Sequence, residues 1–450
     1  MSLRSLRDTE VDTDVEKLLN SVIKKCDQAE VYLKTMRVTP IAFENGRLSH
    51  IDLGNNTEVG LRVIKDGRLG FSYASSLKYR SALIREALRV ARKGQEVSFG
   101  FPEMGTFAKV DNYDPALEQV KLKDMARDTA RMVKWFKGKK IPASIGADMH
   151  VFTQTLNIVN SRGLNAQYAA TGTVSDCVLI LEGSGVGPLV QDVYSSYRTL
   201  DEERLNEVYQ YYLKCQKQVP APTRKMKVIF TPHSMETIFW RIASAISAQS
   251  LIDRISPLEN QLGKKIADER LTLVENPHRK MHPGSRPFDD EGTPTEVIPI
   301  IEKGVFKNFL YDCRTAAVLG TKSTGVGYKL GMWGGDITTP VNPYPAHLVF
   351  EPGDVSYDEM TKRVDEGIML EFPNGAHSGN IPAGDFSVNV GLGYYIKDGV
   401  IQGRVLDAMI AGNIYRLFNQ LNCISRQTDH SGIPWLMFDE VNVAGSRGQI

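Results

Sequence analysis

The chain reads as an α+β protein of two domains, and three features of the sequence lead there. Strand-like runs cluster together, with amphipathic helical stretches set apart from them rather than alternating one for one. Tight-turn dipeptides, Asn45-Gly46 and Asp66-Gly67, join neighbouring runs as hairpins do. At 450 residues the chain exceeds one ordinary core. Each domain is expected to hold an antiparallel or mixed sheet with packed helices, one spanning 1–219 and a β-rich one spanning 220–450.

The first element is an amphipathic helix over Val11 to Lys25, with Val15, Leu18, Leu19, Val22 and Ile23 at helical spacing. Strands follow at Val31–Leu33, Ile41–Phe43, Val59–Val63 and Leu69–Tyr73. Helices near Arg80–Arg92 and Leu117–Phe136 would cover one face of their sheet. Strands return at Val151–Phe152, Leu156–Val159 and Val178–Leu181, broken by Ser161-Arg162-Gly163 and Thr171-Gly172. A further helix starts at Thr199-Leu200-Asp201-Glu202, read as a threonine cap with a glutamate three residues on. Val219-Pro220-Ala221-Pro222 then closes the first half, because proline lacks the amide a helix needs.

The second half repeats the hairpin idea. Ile301-Glu302-Lys303-Gly304 and Ile396-Lys397-Asp398-Gly399 match Ile64-Lys65-Asp66-Gly67, with glycine supplying a positive φ. Helices are expected near Ser234–Ile246, Tyr357–Val364 and Ala408–Leu421.

Composition narrows the function classes. A net charge of +1 provides no global field for nucleic acid or anionic lipid, so neither is an expected partner. Lys134-Trp135-Phe136-Lys137-Gly138-Lys139-Lys140 interleaves aromatics with lysines, but a helix C-terminus closed by Gly138 explains it. The five cysteines stand singly, which suits reduced thiols. Acidic Asp8, Glu10 and Asp12 occupy the place of a leader's apolar stretch, so a cytoplasmic protein is expected.

Candidate chemistry is sparse. Of the eight histidines only His278 and His282 stand four apart, flanked by Pro277 and Pro283 and with no glutamate after His278. Asp289-Asp290-Glu291-Gly292 could hold a hard cation or accept peptide amides, or could be an acidic turn bracketed by Gly292 and Pro294. Gly183 to Pro188 lacks the last glycine of a dinucleotide fingerprint. The glycines from Gly325 to Gly335 surround Tyr328 and Trp333, as in a loop lining a groove.

Taken in order, Ser285-Arg286-Pro287-Phe288-Asp289-Asp290-Glu291-Gly292-Thr293-Pro294-Thr295, Lys322-Ser323-Thr324-Gly325 and Ala383-Gly384-Asp385-Phe386-Ser387 resemble the motif series of the TldD/TldE (PmbA) family, also called modulators of DNA gyrase. Phe43-Glu44-Asn45-Gly46, Gly60 to Val63 and Gly70 to Tyr73 resemble its first domain. TldD-type members carry a histidine-glutamate-three-residue-histidine zinc motif on a helix of the second domain. Counted back from Leu262-Gly263, its positions fall on Phe239, Trp240 and Ser244, none suited to zinc chemistry.

The resemblance therefore implies the TldE (PmbA) branch. The chain would be a catalytically inert subunit without a cofactor of its own, zinc belonging to a TldD-type partner in a heterodimer, with a homodimer as the other assembly. Arg286, Phe288, Asp289, Asp290, Glu291, Asp385 and Phe386 are the candidates for a groove taking extended peptide by strand addition. Two alternatives stay open: a stand-alone metal-dependent peptidase using His278 or His282 with the acidic loop, or direct binding to DNA gyrase.

Overall fold

A computed structural model describes residues 9–139 and 141–445. Asp8 and Lys140, named above, lie outside these residues. Two sheets organise the fold, and both domains are α+β.

The first sheet is wholly antiparallel. It contains β1 (Gln28–Glu44), β2 (Arg47–Ile51), β3 (Gly54–Lys65), β4 (Arg68–Ala74), β5 (Ala143–Asn160), β6 (Asn165–Leu181) and β7 (Leu189–Tyr194), in the order β4-β3-β1-β5-β6-β7 with β2 beside β1. The separate runs expected around Val31 and Ile41 are one 17-residue strand, because β1 is paired along both edges and its polar middle stays hydrogen-bonded. Thr171-Gly172 does not interrupt β6. Gly172 lies opposite Phe152, whose ring occupies the space a side chain would fill.

Alternation along β1 divides its side chains between two environments. Ala29, Val31 and Leu33 pack with Val15, Leu18, Leu83 and Ala87 from α1 (Thr9–Val22) and α2 (Arg80–Ala91). Ile41 continues that face against Leu117 and Met125, the latter from α3 (Leu122–Trp135). The expected Leu117–Phe136 helix is thus shorter, a 3₁₀ turn over Pro115–Gln119 preceding it. Gly138 closes α3 at positive φ, and the Lys139 ammonium lies 4.0 Å from the Trp135 ring centre. The opposite face of the sheet carries Tyr32, Leu156, Ile158 and Ala166, and it is sealed by Phe288 from the second domain.

The last helix of the first half, α4 (Glu202–Cys215), is capped by Asp201 rather than Thr199. The Asp201 carboxylate accepts from the Arg204 amide, so the cap sits two residues later than expected. The chain then enters the second sheet at β8 (Gln218–Pro220) and β9 (Arg224–Phe230).

In that sheet β9 runs parallel to Glu366–Asn374 and antiparallel to Pro434–Ala444. Pro434–Ala444 pairs with Met409–Asn413, which pairs with Asp385–Lys397, and that strand returns to Glu366–Asn374. Five strands therefore close into a ring with no free edge inside it. The helix expected over Ala408–Leu421 is half strand: Met409–Asn413 belongs to the ring, and only Ile414–Asn419 is helical, capped by the Asn413 side chain. The three repeated turns share one geometry, with Asp66, Lys303 and Asp398 as well as Gly67, Gly304 and Gly399 at positive φ, the signature of a type I′ hairpin turn.

Among the described residues no helix is long and apolar enough to cross a membrane.

Candidate functional site

The helix that carries the motif positions is α5 (Glu236–Ile246). A 3₁₀ turn over Pro232–Ser234 leads into it, with the Ser234 hydroxyl donating to the Thr231 carbonyl. Ile238, Ile242, Ala245 and Ile246 are fully buried in the core beneath. Phe239, Trp240 and Ala243 turn the other way and line a cleft of about 430 Å³, whose far wall is Leu330, Tyr344 to Leu348, Arg279 and His282. One face of this helix is thus packed on the core and the other opens to the cleft.

Aromatic rings occupy that face. Phe239 stacks on Phe350 at 5.6 Å between centroids, and Trp240 meets Trp333 at 5.7 Å. Trp333 is 75% exposed and also contacts His377 at 5.2 Å. Ser244 is half-buried, and its carbonyl accepts from the Ser250 hydroxyl. Two rings and one hydroxyl do not fit a tetrahedral zinc, which takes nitrogen, sulfur or carboxylate ligands. Among the described residues no three histidines, cysteines or acids converge in a way that could hold a metal ion.

His278 and His282 are committed to different contacts. His278 Nε2 lies 3.0 Å from the Thr295 hydroxyl, whereas His282 Nδ1 accepts from the Gly284 amide. Burial, with Arg279 next in effect, pushes the His282 pKa down to about 3. His347 beside it is also held well below the usual imidazole range by burial. Both rings are therefore neutral, and the Arg279 guanidinium 3.4 Å from His282 disfavours a further cation.

The acidic loop is packed inward: Phe288, Asp289, Asp290 and Glu291 are all buried, and Glu291 lines a cavity of about 280 Å³ with Glu30, Tyr32 and Arg62 of the first sheet. Asp289 accepts from the amides of Glu291, Thr293 and Gly327. Asp290 accepts from Tyr32 Oη, Arg286 and the Lys329 amide. Glu291 receives Arg62 Nη1 at 3.0 Å and the Cys313 amide at 2.8 Å, while Arg62 grips Glu30 with Nε and Nη2. Burial, and then the Glu291 charge, raises the Asp289 pKa well above the carboxylate range. Arg286 donates to Tyr168 Oη and lies over the Tyr328 ring, and Phe288 wedges between Phe107 and Tyr168. The physical reason is plain: the second face of the first sheet needs an apolar cover, and the loop brings that cover with its carboxylates already hydrogen-bonded.

Asp385 and Phe386 separate in the same way. The Asp385 side chain is exposed and accepts from Asn413, whereas Phe386 is core, 6.1 Å from the Phe230 ring. Beside them stands a residue the sequence reading passed over. Arg241 is fully buried on α5, and its guanidinium donates to the carbonyls of Thr237, Ala376, Ser378 and Asp385 at 2.7–2.8 Å. Burial lowers its pKa to about 10. A charged residue set among Ile238, Ile242 and Ala243 was the available signal.

Comparison with known proteins agrees with this architecture. Residues 223–445 match the PmbA/TldA metallopeptidase C-terminal domain, and residues 29–93 match PmbA/TldA metallopeptidase domain 1. Metalloprotease PmbA of Escherichia coli O157:H7 is 23% identical over 445 residues, which cover 94% of this chain and 93% of that one. A metalloprotease of Methanothermobacter thermautotrophicus is 24% identical over 423 residues, 90% of this chain and 89% of its own. The crystal structure of TldE from Thermococcus kodakarensis superposes with a TM-score of 0.87 at 25% identity, covering 96% of this chain and 100% of that one.

Proposed function

The chain belongs to the PmbA/TldD metallopeptidase family, and from that premise we propose that it is a TldE-like, non-catalytic subunit of a TldD/TldE-type zinc protease system. It would pair with a zinc-bearing TldD-type chain and help to form the groove that takes unfolded peptide. The observation that carries this reading is the outer face of α5, where Phe239, stacked on Phe350, and Trp240, tilted against Trp333, occupy the positions counted for the zinc motif. An exposed Trp333 and His377 extend that aromatic wall. Rings of this kind present large, rigid apolar area at small entropic cost, which suits the side chains of an extended peptide. The free thiols of all five cysteines favour a reducing compartment, so the cytoplasm is the proposed location.

The test is to purify the chain alone, measure its zinc, and assay an unfolded peptide with and without a TldD-type chain. The expected result is substoichiometric zinc, no cleavage alone, and a heterodimer whose cleavage exceeds that of the TldD-type chain by itself. Stoichiometric zinc with chelator-sensitive cleavage by the lone chain would overturn the reading. A chain that forms only homodimers in the presence of the TldD-type chain would do the same.

A further inference from the structure

A polar cleft lies on the other side of His233 from α5. It holds about 480 Å³ between β7 of the first sheet and the ends of β9 and Glu366–Asn374 in the second. Among the described residues β7 pairs with β6 alone, and Leu189 to Asp192 and Tyr194 of this edge strand line the space.

Five carboxylates line the cleft, of Asp192, Asp201, Glu207, Glu371 and Asp429, against two guanidinium groups. One guanidinium is committed: Arg204 takes an oxygen of Asp192 at 3.3 Å and an oxygen of Glu207. Arg198, the other, lies over the Tyr194 ring at 4.1 Å. His233 Nδ1 holds one oxygen of Glu371 at 2.6 Å. His430, 4.0 Å from Asp429, is kept toward its neutral form by burial. His233 is the third cationic group, since burial, which lowers its pKa, is outweighed by Glu371, which raises it; five carboxylates still outnumber the three, and the rings of Tyr211 and Trp435 complete the walls.

A second observation points the same way. Thr231 is 1% exposed and lines the cleft, yet its hydroxyl has no hydrogen-bond partner in the protein. A buried hydroxyl left unpaired is destabilising, so a ligand that meets it has something to gain.

We propose that this cleft binds a primary ammonium group, shared between the second oxygens of Glu371 and Glu207 and the Thr231 hydroxyl. An ammonium has three donors and no acceptor, and it is favoured by carboxylates and aromatic faces together. The inference rests on the peptide-handling role, within which the group is a lysine side chain or the N-terminus of a peptide running beside β7.

The two sources separate in one calorimetric experiment on the full chain. Three otherwise identical hexapeptides are titrated: Nα-acetylated with a central lysine, Nα-acetylated with norleucine there, and norleucine with a free N-terminus. The lysine or the free-amine peptide is expected to bind at least about tenfold more tightly than the acetylated norleucine peptide, a step worth ~1.4 kcal/mol. Glu371→Gln and Glu207→Gln should each remove most of that preference without changing the norleucine affinity. Thr231→Val, which removes the third partner, is a second route should either variant fail to keep the wild-type melting temperature. Equal affinity for all three peptides, or a preference untouched in the folded variants, would overturn the site and leave the subunit role intact. Ammonium binding by a chain that never joins a TldD-type partner would uphold the site and sink the role.

Discussion

Two buried ionisable groups show how single residues carry the fold. Arg241 satisfies four carbonyls with one guanidinium, tying α5 to the segment from Ala376 to Asp385. Arg241→Leu leaves those carbonyls without a donor and should lower unfolding free energy by ~3 kcal/mol or more. Arg241→Lys should recover only part, since an ammonium cannot span the same planar fan; urea denaturation of both variants measures it. Glu275 is the pH-sensitive case. Burial lifts its pKa to about 8, although the amides of Ala346 and His347 donate to it. Its folded pKa lies above its unfolded one, so the native state binds the proton more tightly. Stability is therefore expected to fall as pH rises from about 4.5 to about 8, with no further change from this group above that range. Denaturation curves across that window should show the decline, and Glu275→Gln should flatten it. Arg241 gives one signal in the sequence, its place among apolar residues, whereas a glutamate in a short strand looks solvent-facing until its partners arrive from distant segments. Arg62 and Glu291 are 229 positions apart.

At the scale of elements, local chemistry was readable and long-range pairing was not. The type I′ turns at Asp66-Gly67, Lys303-Gly304 and Asp398-Gly399 follow from residues that tolerate positive φ. The cap at Asp201 and the strand at Met409–Asn413 were misread because a nearer threonine and an apolar run mimic other patterns. Ring closure decided the second case, since Met409–Asn413 is paired on both sides. The motif positions on α5 could likewise be counted along the chain, but their openness to a cleft depends on Leu330 and Tyr344 across it. Cross-strand fit gives the clearest test. A Cβ on Gly172 would lie 2.3 Å from the Phe152 ring. Gly172→Ala should therefore destabilise by ~1–3 kcal/mol. Adding Phe152→Ala should restore part of that loss, visible as a coupling energy of ~1 kcal/mol in a double-mutant cycle. Additive losses would mean the ring can move aside freely.

Across the whole molecule, the acidic loop ties the first sheet to the second half of the chain. Arg62 binds Glu30 within the first sheet and Glu291 from the second domain, so Arg62→Met strands two buried carboxylates at once. A loss of ~3–5 kcal/mol is expected, with calorimetry expected to show one transition for the wild type and two for the variant as the halves uncouple. One unsplit transition in the variant would show that Phe288 and its neighbours suffice to hold the junction. The same junction constrains how β1 can change over time. Its odd-numbered side chains at 29, 31 and 33 belong to the helices, and Glu30 and Tyr32 belong to the interdomain contact. Inserting one residue ahead of them would exchange the two sets, sending the Glu30 carboxylate into the helical core and Ala29 to Arg62. Length changes in the middle of this strand are therefore tolerable only in steps of two, and the central strand acts as a parity check on the whole chain.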